Sequence, residues 1–282
     1  MNVRIGLSLA ALTLCASAGL AAELDPAAVT YKTPDQFQWR DPTMKAPNNQ
    51  TVLYGDPTKP GLYIYINTAK AGRFSPPHYH PNDRFIMVQK GPWWVGSGTK
   101  RDPERTLAMP VGSFVIHHGK QVHWDGTKDD DSAILIIGQG PASNIEVPEV
   151  GPSTALDPKV VSFTLPEQIK WRDPDNKGPN NSAILYGDPN KSGFYINLQR
   201  WNKGNFSRPH FYPNDRFITV LKGTWWMGTG TTFDPDNSVA MPAGTFVTHF
   251  GKQVHWEGAK DEDAILLIVG EGPATNTPVE AK

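Results

Sequence analysis

The strongest constraint on this chain is that it repeats itself once. Trp39-Arg40-Asp41-Pro42 returns as Trp171-Arg172-Asp173-Pro174, and Leu53-Tyr54-Gly55-Asp56-Pro57 returns as Leu185-Tyr186-Gly187-Asp188-Pro189, both at an offset of 132 positions. The same offset carries His78 to His210, Gly91 to Gly223, Pro110 to Pro242, His123 to His255 and Gly140 to Gly272. Self-similarity at a fixed offset means two copies of one folding unit. The copies run over about 24–144 and 156–276 and align without an insertion, so their loops matter as well as their strands. This divides the chain into residues 23–150 and 151–282, with the Pro- and Gly-punctuated segment from Val147 to Pro158 read as a linker.

Residues 1–22 read as an address rather than as part of the fold. They carry one charge at Arg4, an apolar stretch from Ile5 to Leu14, and small residues up to Ala22, the pattern of a secretory signal peptide. The expected location is therefore the periplasm or the outside of the cell. The single cysteine, Cys15, falls inside this segment, so the mature chain has neither a disulfide nor a thiol nucleophile. After residue 22 every apolar run is interrupted before it reaches membrane-spanning length. A formal net charge of -1 gives no bulk attraction to nucleic acid or anionic lipid. Within each copy, runs such as Gly61–Asn67, Arg84–Gln89, Ser113–Ile116 and Ala133–Ile137 are short, β-branched or aromatic, and bounded by Gly, Pro, Asp or Asn. No long 3.6-residue apolar period is present. The fold class is all-β, with one small jelly-roll barrel per copy.

Eight histidines fall in matching windows: His78, His80, His117, His118 and His123 in the first copy, His210, His249 and His255 in the second. Side chains two apart on a strand point to one face, so His78 and His80 can aim both imidazoles at a common point, with Arg84 in the same parity. An antiparallel neighbour bearing His123 would add a third nitrogen. The pairs Trp93-Trp94 and Trp225-Trp226 must each put one ring inside and one outside. No nucleophile elbow, phosphate-binding loop or dinucleotide fingerprint is present, which removes the hydrolase, kinase and dehydrogenase readings.

Gly72, His78-Tyr79-His80, Arg84 and Gly91 have the spacing of the first cupin motif, and Gly112 with His123 that of the second. Gly204, His210, Tyr212, Arg216 and Gly223, then Gly244 and His255, repeat it. The chain resembles a secreted bicupin, two tandem cupin barrels. The resemblance implies a metal site at His78, His80 and His123, with arginine at Arg84 where the family places its glutamate. In the second copy the family's ligands map to His210, Tyr212, Arg216 and His255, a degenerate second site to which His249 could add a ligand. The family's second-motif Pro and Gly fall on His118 and Lys120, and on Phe250 and Lys252.

Three neutral imidazoles leave a divalent ion's charge uncompensated and Arg84 adds another, so the expected substrate is a small anionic or aromatic molecule. The expected cofactor is one divalent transition metal, with Fe, Cu, Ni, Zn, Co and Mn not distinguished. Arg84 and His117 are the candidate catalytic residues, and Gln121 or Lys120 is expected at the pocket mouth. Against these stand plainer readings: Arg84 and Arg216 as ion-pair partners of Asp83 and Asp215, and His117 and His249 as hydrogen-bonded wall histidines. The function that the resemblance implies is a metal-dependent oxygenase. The alternatives are a non-redox isomerase, decarboxylase or lyase, and a non-enzymatic metal- or ligand-binding bicupin. A monomer of two barrels and a homo-oligomer are both compatible with the sequence.

Overall fold

The computed structural model describes residues 23–280. The expected signal peptide, with Cys15, lies outside the described residues. Among these residues the helical content is four three-residue turns, and the rest of the regular structure is strand. Among the described residues no helix is long and apolar enough to cross a membrane.

The strands form two sheets for each repeat. In the first barrel one sheet runs in the order Val161–Thr164, Phe114–His117, Arg84–Lys90, Ser132–Gly140, Gly61–Ala69, Asn48–Tyr54. The facing sheet runs Ile145–Glu146, His78–Tyr79, His123–Gly126, Trp93–Ser97, Leu107–Met109. The second barrel repeats both sheets, with Val29–Lys32 at one edge. The outermost strand of each long sheet therefore comes from the other repeat. Val29–Lys32 pairs with Phe246–His249, and Val161–Thr164 pairs with Phe114–His117. The exchange covers one edge of each long sheet, while Asn48–Tyr54 and Asn180–Tyr186 form the other. The segment expected as a linker lies along the first barrel: Val147 N–H donates to the Pro77 carbonyl at 2.9 Å and Asp157 N–H to Ser97 Oγ at 2.9 Å.

The two long sheets are buried on both faces, which explains why their strands read as unbroken apolar runs rather than as alternations. Along Arg84–Lys90, Ile86 and Val88 point inward to pack with Tyr63, Tyr65 and Trp93. Phe85 and Met87 point outward into a cluster shared with Phe217, Leu267 and Val269 of the other barrel. The contact is reciprocal. Tyr54 packs tilted against Phe217 with ring centroids 4.0 Å apart, and Tyr186 against Phe85 at 4.4 Å, pairs that exchange under the repeat. This self-complementary layout is what a two-fold interface requires.

Both tryptophan pairs divide as their parity requires. Trp93 and Trp225 are buried inside, while Trp94 and Trp226 lie under Lys128 and Lys260 at 4.2 and 4.0 Å. Trp124 occupies the space where a side chain at position 96 would stand, so only glycine fits there. Lys120 and Lys252, where the cupin pattern has glycine, adopt φ of 62° and 64°. The turn demands a left-handed residue, and here lysine carries the strain.

Candidate metal centre

The short strand His78–Tyr79 lies between prolines at 77 and 81, and its His78 pairs in register with His123 on the neighbouring strand. His80 follows two residues later on the same face. The three rings gather with centroids 4.6 to 4.9 Å apart. Each Nδ1 lies against a backbone carbonyl: His78 against Pro76 at 2.8 Å, His80 against Ser143 at 3.0 Å, His123 against Gln121 at 3.0 Å. A carbonyl oxygen only accepts, so each Nδ1 carries a proton, and in a neutral ring Nε2 is left as a lone pair. His80 Nε2 and His123 Nε2 then face each other at 3.2 Å, acceptor against acceptor. Burial, reinforced by the Arg84 charge, pushes His80 down to about 2. Burial and the nearby His78 push His123 down to about 3. No ring proton is therefore available to bridge them at neutral pH, and a cation is the group that satisfies this donor set. His78, His80 and His123 have their ligand atoms close enough together to hold one ion. The carbonyl contacts supply the orientation that metal-ligating histidines ordinarily need.

Arg84 and His117 face this cluster from the long sheet, paired in register with each other. His117 stacks on Trp93, its ring centroid is 3.8 Å from that of His123, and its buried Nε2 has no hydrogen-bond partner. Burial holds its imidazole neutral. The guanidinium of Arg84 donates to the Ala142 carbonyl at 3.0 Å, while its buried Nε is unpartnered. Asp83, its suggested ion-pair partner, instead accepts the Gly119 N–H at 2.8 Å, and Asp215 accepts that of Gly251 at 2.8 Å. Among the described residues neither Arg84 nor Arg216 has an ion-paired carboxylate.

His78, His80, Arg84, Trp93 and His117 line a cavity of about 470 Å³ inside the first barrel. Arg40 and Arg73 are exposed at its edge, Arg84 lies buried within, and among the described residues Asp125 is its only carboxyl. Burial raises the Asp125 carboxyl, although His78 and Arg84 pull against the rise. Lys120 and Gln121 do not line the cavity. Their backbones hold the site instead, Lys120 N–H donating to the His80 carbonyl at 2.6 Å.

The second barrel keeps the frame and changes the contents. His210 and His255 pair in register, with Nδ1 atoms fixed by the carbonyls of Arg208 at 2.7 Å and Gln253 at 3.0 Å. Tyr212 replaces the middle histidine and lies beneath the Arg216 guanidinium at 3.7 Å. His249 packs between Trp225 and His255, with neither ring nitrogen partnered. The group that comes together with His210 and His255 is Glu257, which sequence reasoning missed. Its signal was the spacing: Glu257 stands two residues after His255 on one strand, as Asp125 stands after His123. The cavity here is about 330 Å³, and Trp201 fills the position held by Ala69 in the first barrel.

No protein-family model and no curated protein matches the chain. Solved structures do. Oxalate decarboxylase from Lactobacillus farciminis, in its formate complex, superimposes with TM-score 0.60 at 12% identity, covering 93% of this chain and 90% of that one. The fold is that of a bicupin. A Nostoc punctiforme protein described as a candidate dioxygenase aligns with this bicupin at TM-score 0.66 and 13% identity, over 91% and 88% of the two chains. A cupin 2 barrel protein from Leptotrichia buccalis aligns at TM-score 0.53 and 15% identity, over 80% and 90%. Together with the three-histidine cluster, this fold supports a metal-dependent cupin.

Proposed function

We propose that this bicupin is an exported metal-dependent enzyme whose first barrel acts as an oxygenase on a small anionic or aromatic molecule. The observation that carries the proposal is the convergence of three imidazoles, each with its Nδ1 fixed by a carbonyl and its Nε2 turned to the others, beside an arginine-lined cavity. Its volume lies in the range that holds small organic ligands. His78, His80 and His123 would hold the metal, with open positions toward the cavity. A bound iron or copper ion would supply the charge and redox chemistry that oxygenation needs. Arg84 offers a fixed guanidinium to a carboxylate or phenolate, and Arg40 and Arg73 draw the anion in from the mouth. Trp93, Ile86, Ile134 and Ile136 wall the cavity and exclude water. Asp125 holds or returns a proton at the reacting end.

A second reading is favoured by that same carboxyl. Asp125, the single acid in a basic cavity, could protonate a carbanion without any change of redox state. The oxalate decarboxylases among the structural neighbours are named for a small dianion, which this charge pattern would accept. The test uses the mature protein loaded with Fe²⁺ or Cu²⁺ and a panel of small carboxylates and phenols, with dissolved oxygen and released CO₂ followed together. Oxygen uptake that disappears in His80→Ala supports the oxygenase. Release of CO₂ without oxygen uptake selects the lyase, and turnover unaffected by His80→Ala overturns both.

A further inference from the structure

The second barrel's buried polar groups point to a site of a different kind from the first. His210, His255 and Glu257 are each 2% exposed or less. Glu257 lies with one oxygen 3.6 Å from His210 Nε2 and the other 3.9 Å from His255 Nε2. The two Nδ1 atoms donate to carbonyls, so in the neutral rings both Nε2 atoms present lone pairs, and neither has a hydrogen-bond partner. Two ring nitrogens and a carboxylate thus converge without a hydrogen bond between them. Ser207 Oγ, 3.3 Å from one Glu257 oxygen, steadies the carboxylate and leaves the other free. His210 and Glu257 line the same small cavity, and the ligand atoms of all three residues lie within reach of one ion.

We infer that the second barrel holds its own divalent transition-metal ion on His210, His255 and Glu257. The carboxylate reaches the ion from the strand that carries His255, because the position facing it from the long sheet is occupied by Arg216, which is turned onto the Tyr212 ring. Two imidazoles and one carboxylate leave several coordination positions open and suit Fe²⁺, Mn²⁺ or Co²⁺. The carboxylate also cancels one unit of the ion's charge, whereas the three imidazoles of the first barrel cancel none. The two centres therefore differ in net charge as well as in donors. Trp201 and Tyr212 leave the second centre less room, so a solvent molecule or a very small ligand would complete its coordination.

The inference stands apart from the function proposed for the first barrel, and one experiment separates them. Mature protein stripped with chelator is titrated with Co²⁺, and bound metal is counted after desalting while the visible absorption of the Co²⁺ sites is recorded. Circular dichroism confirms the fold of each variant. We expect two ions per chain in the wild type, one in Glu257→Gln, one in His210→Gln, and one in His123→Ala with the absorption of the remaining centre. A single ion that is lost in Glu257→Gln and kept in His123→Ala would sustain this site and remove the first-barrel reading. A single ion that is lost in His123→Ala and kept in Glu257→Gln would overturn the inference, making Glu257 the counter-ion of a protonated His210. Two ions retained in both Glu257→Gln and His210→Gln would also overturn it.

Discussion

The two barrels share one strand plan, one set of turns and one interface, yet differ where side chains meet in the cavity. His80 becomes Tyr212, Asp125 becomes Glu257, Arg73 becomes Asn205 and Ala69 becomes Trp201. The first barrel gathers three imidazoles beside a roomy basic cavity. The second gathers two imidazoles and a carboxylate beside a smaller one. Fold and chemistry have separated at a few inward positions, while the residues that hold each histidine's Nδ1 are carbonyls that any sequence supplies. The architecture thus preserves ligand orientation in both barrels, and the side chains alone decide what is bound.

The sharpest way to break the comparison is at the shared interface. Phe85→Ala should destabilise the chain by about 3–5 kcal/mol, as for other buried aromatic truncations, with Phe217→Ala close behind it. Denaturant unfolding would show this, and a loss of cooperativity would reveal barrels that fold separately. Next is Gly96→Ala, which drives a methyl into the Trp124 ring. It should cost about 1–3 kcal/mol, as overpacking does elsewhere, and Gly228→Ala should do the same through Trp256.

How much of this was legible in the sequence follows from parity and periodicity. The repeat pointed to two copies of one unit, and His78-x-His80 placed two imidazoles on one face before any strand was assigned. The exchange of edge strands was invisible, because both copies exchange alike and the 132-residue offset is unchanged by it. Glu257 was missed because the cupin pattern directs attention to position 216 for a carboxylate. The spacing from His255 put position 257 on the ligand face, and the register of His210 with His255 brings the third group to it. The fate of Arg84 also needed the structure, since adjacent Asp83 is a natural partner in sequence and is occupied by Gly119 in space.

A subtler change converts one cavity toward the other. Ala69→Trp should fill the first cavity as Trp201 fills the second, weakening ligand binding by about tenfold or more, since each 1.4 kcal/mol is a factor of ten. Metal content should be unaltered, and calorimetric titration with a bound carboxylate beside elemental analysis separates the two effects. The smallest expected effect is a gain. Lys120→Gly relieves a left-handed φ of 62° and should raise stability by about 0.5–1 kcal/mol, the relief being partly offset by glycine's greater freedom when unfolded. Lys252→Gly should match it, and thermal unfolding of the pair would show whether the two turns are equivalent.

The central claim is that the facing Nε2 atoms of the first barrel are a metal's ligands. Crystals of the mature protein, grown after loading with Fe²⁺ or Co²⁺ and measured on both sides of the metal's absorption edge, test it directly. The account predicts an anomalous peak about 2.0–2.2 Å from Nε2 of His78, His80 and His123, the range of metal–imidazole bonds. Crystals with no peak there, and with His80 and His123 joined instead through water or a rotated ring, would contradict it.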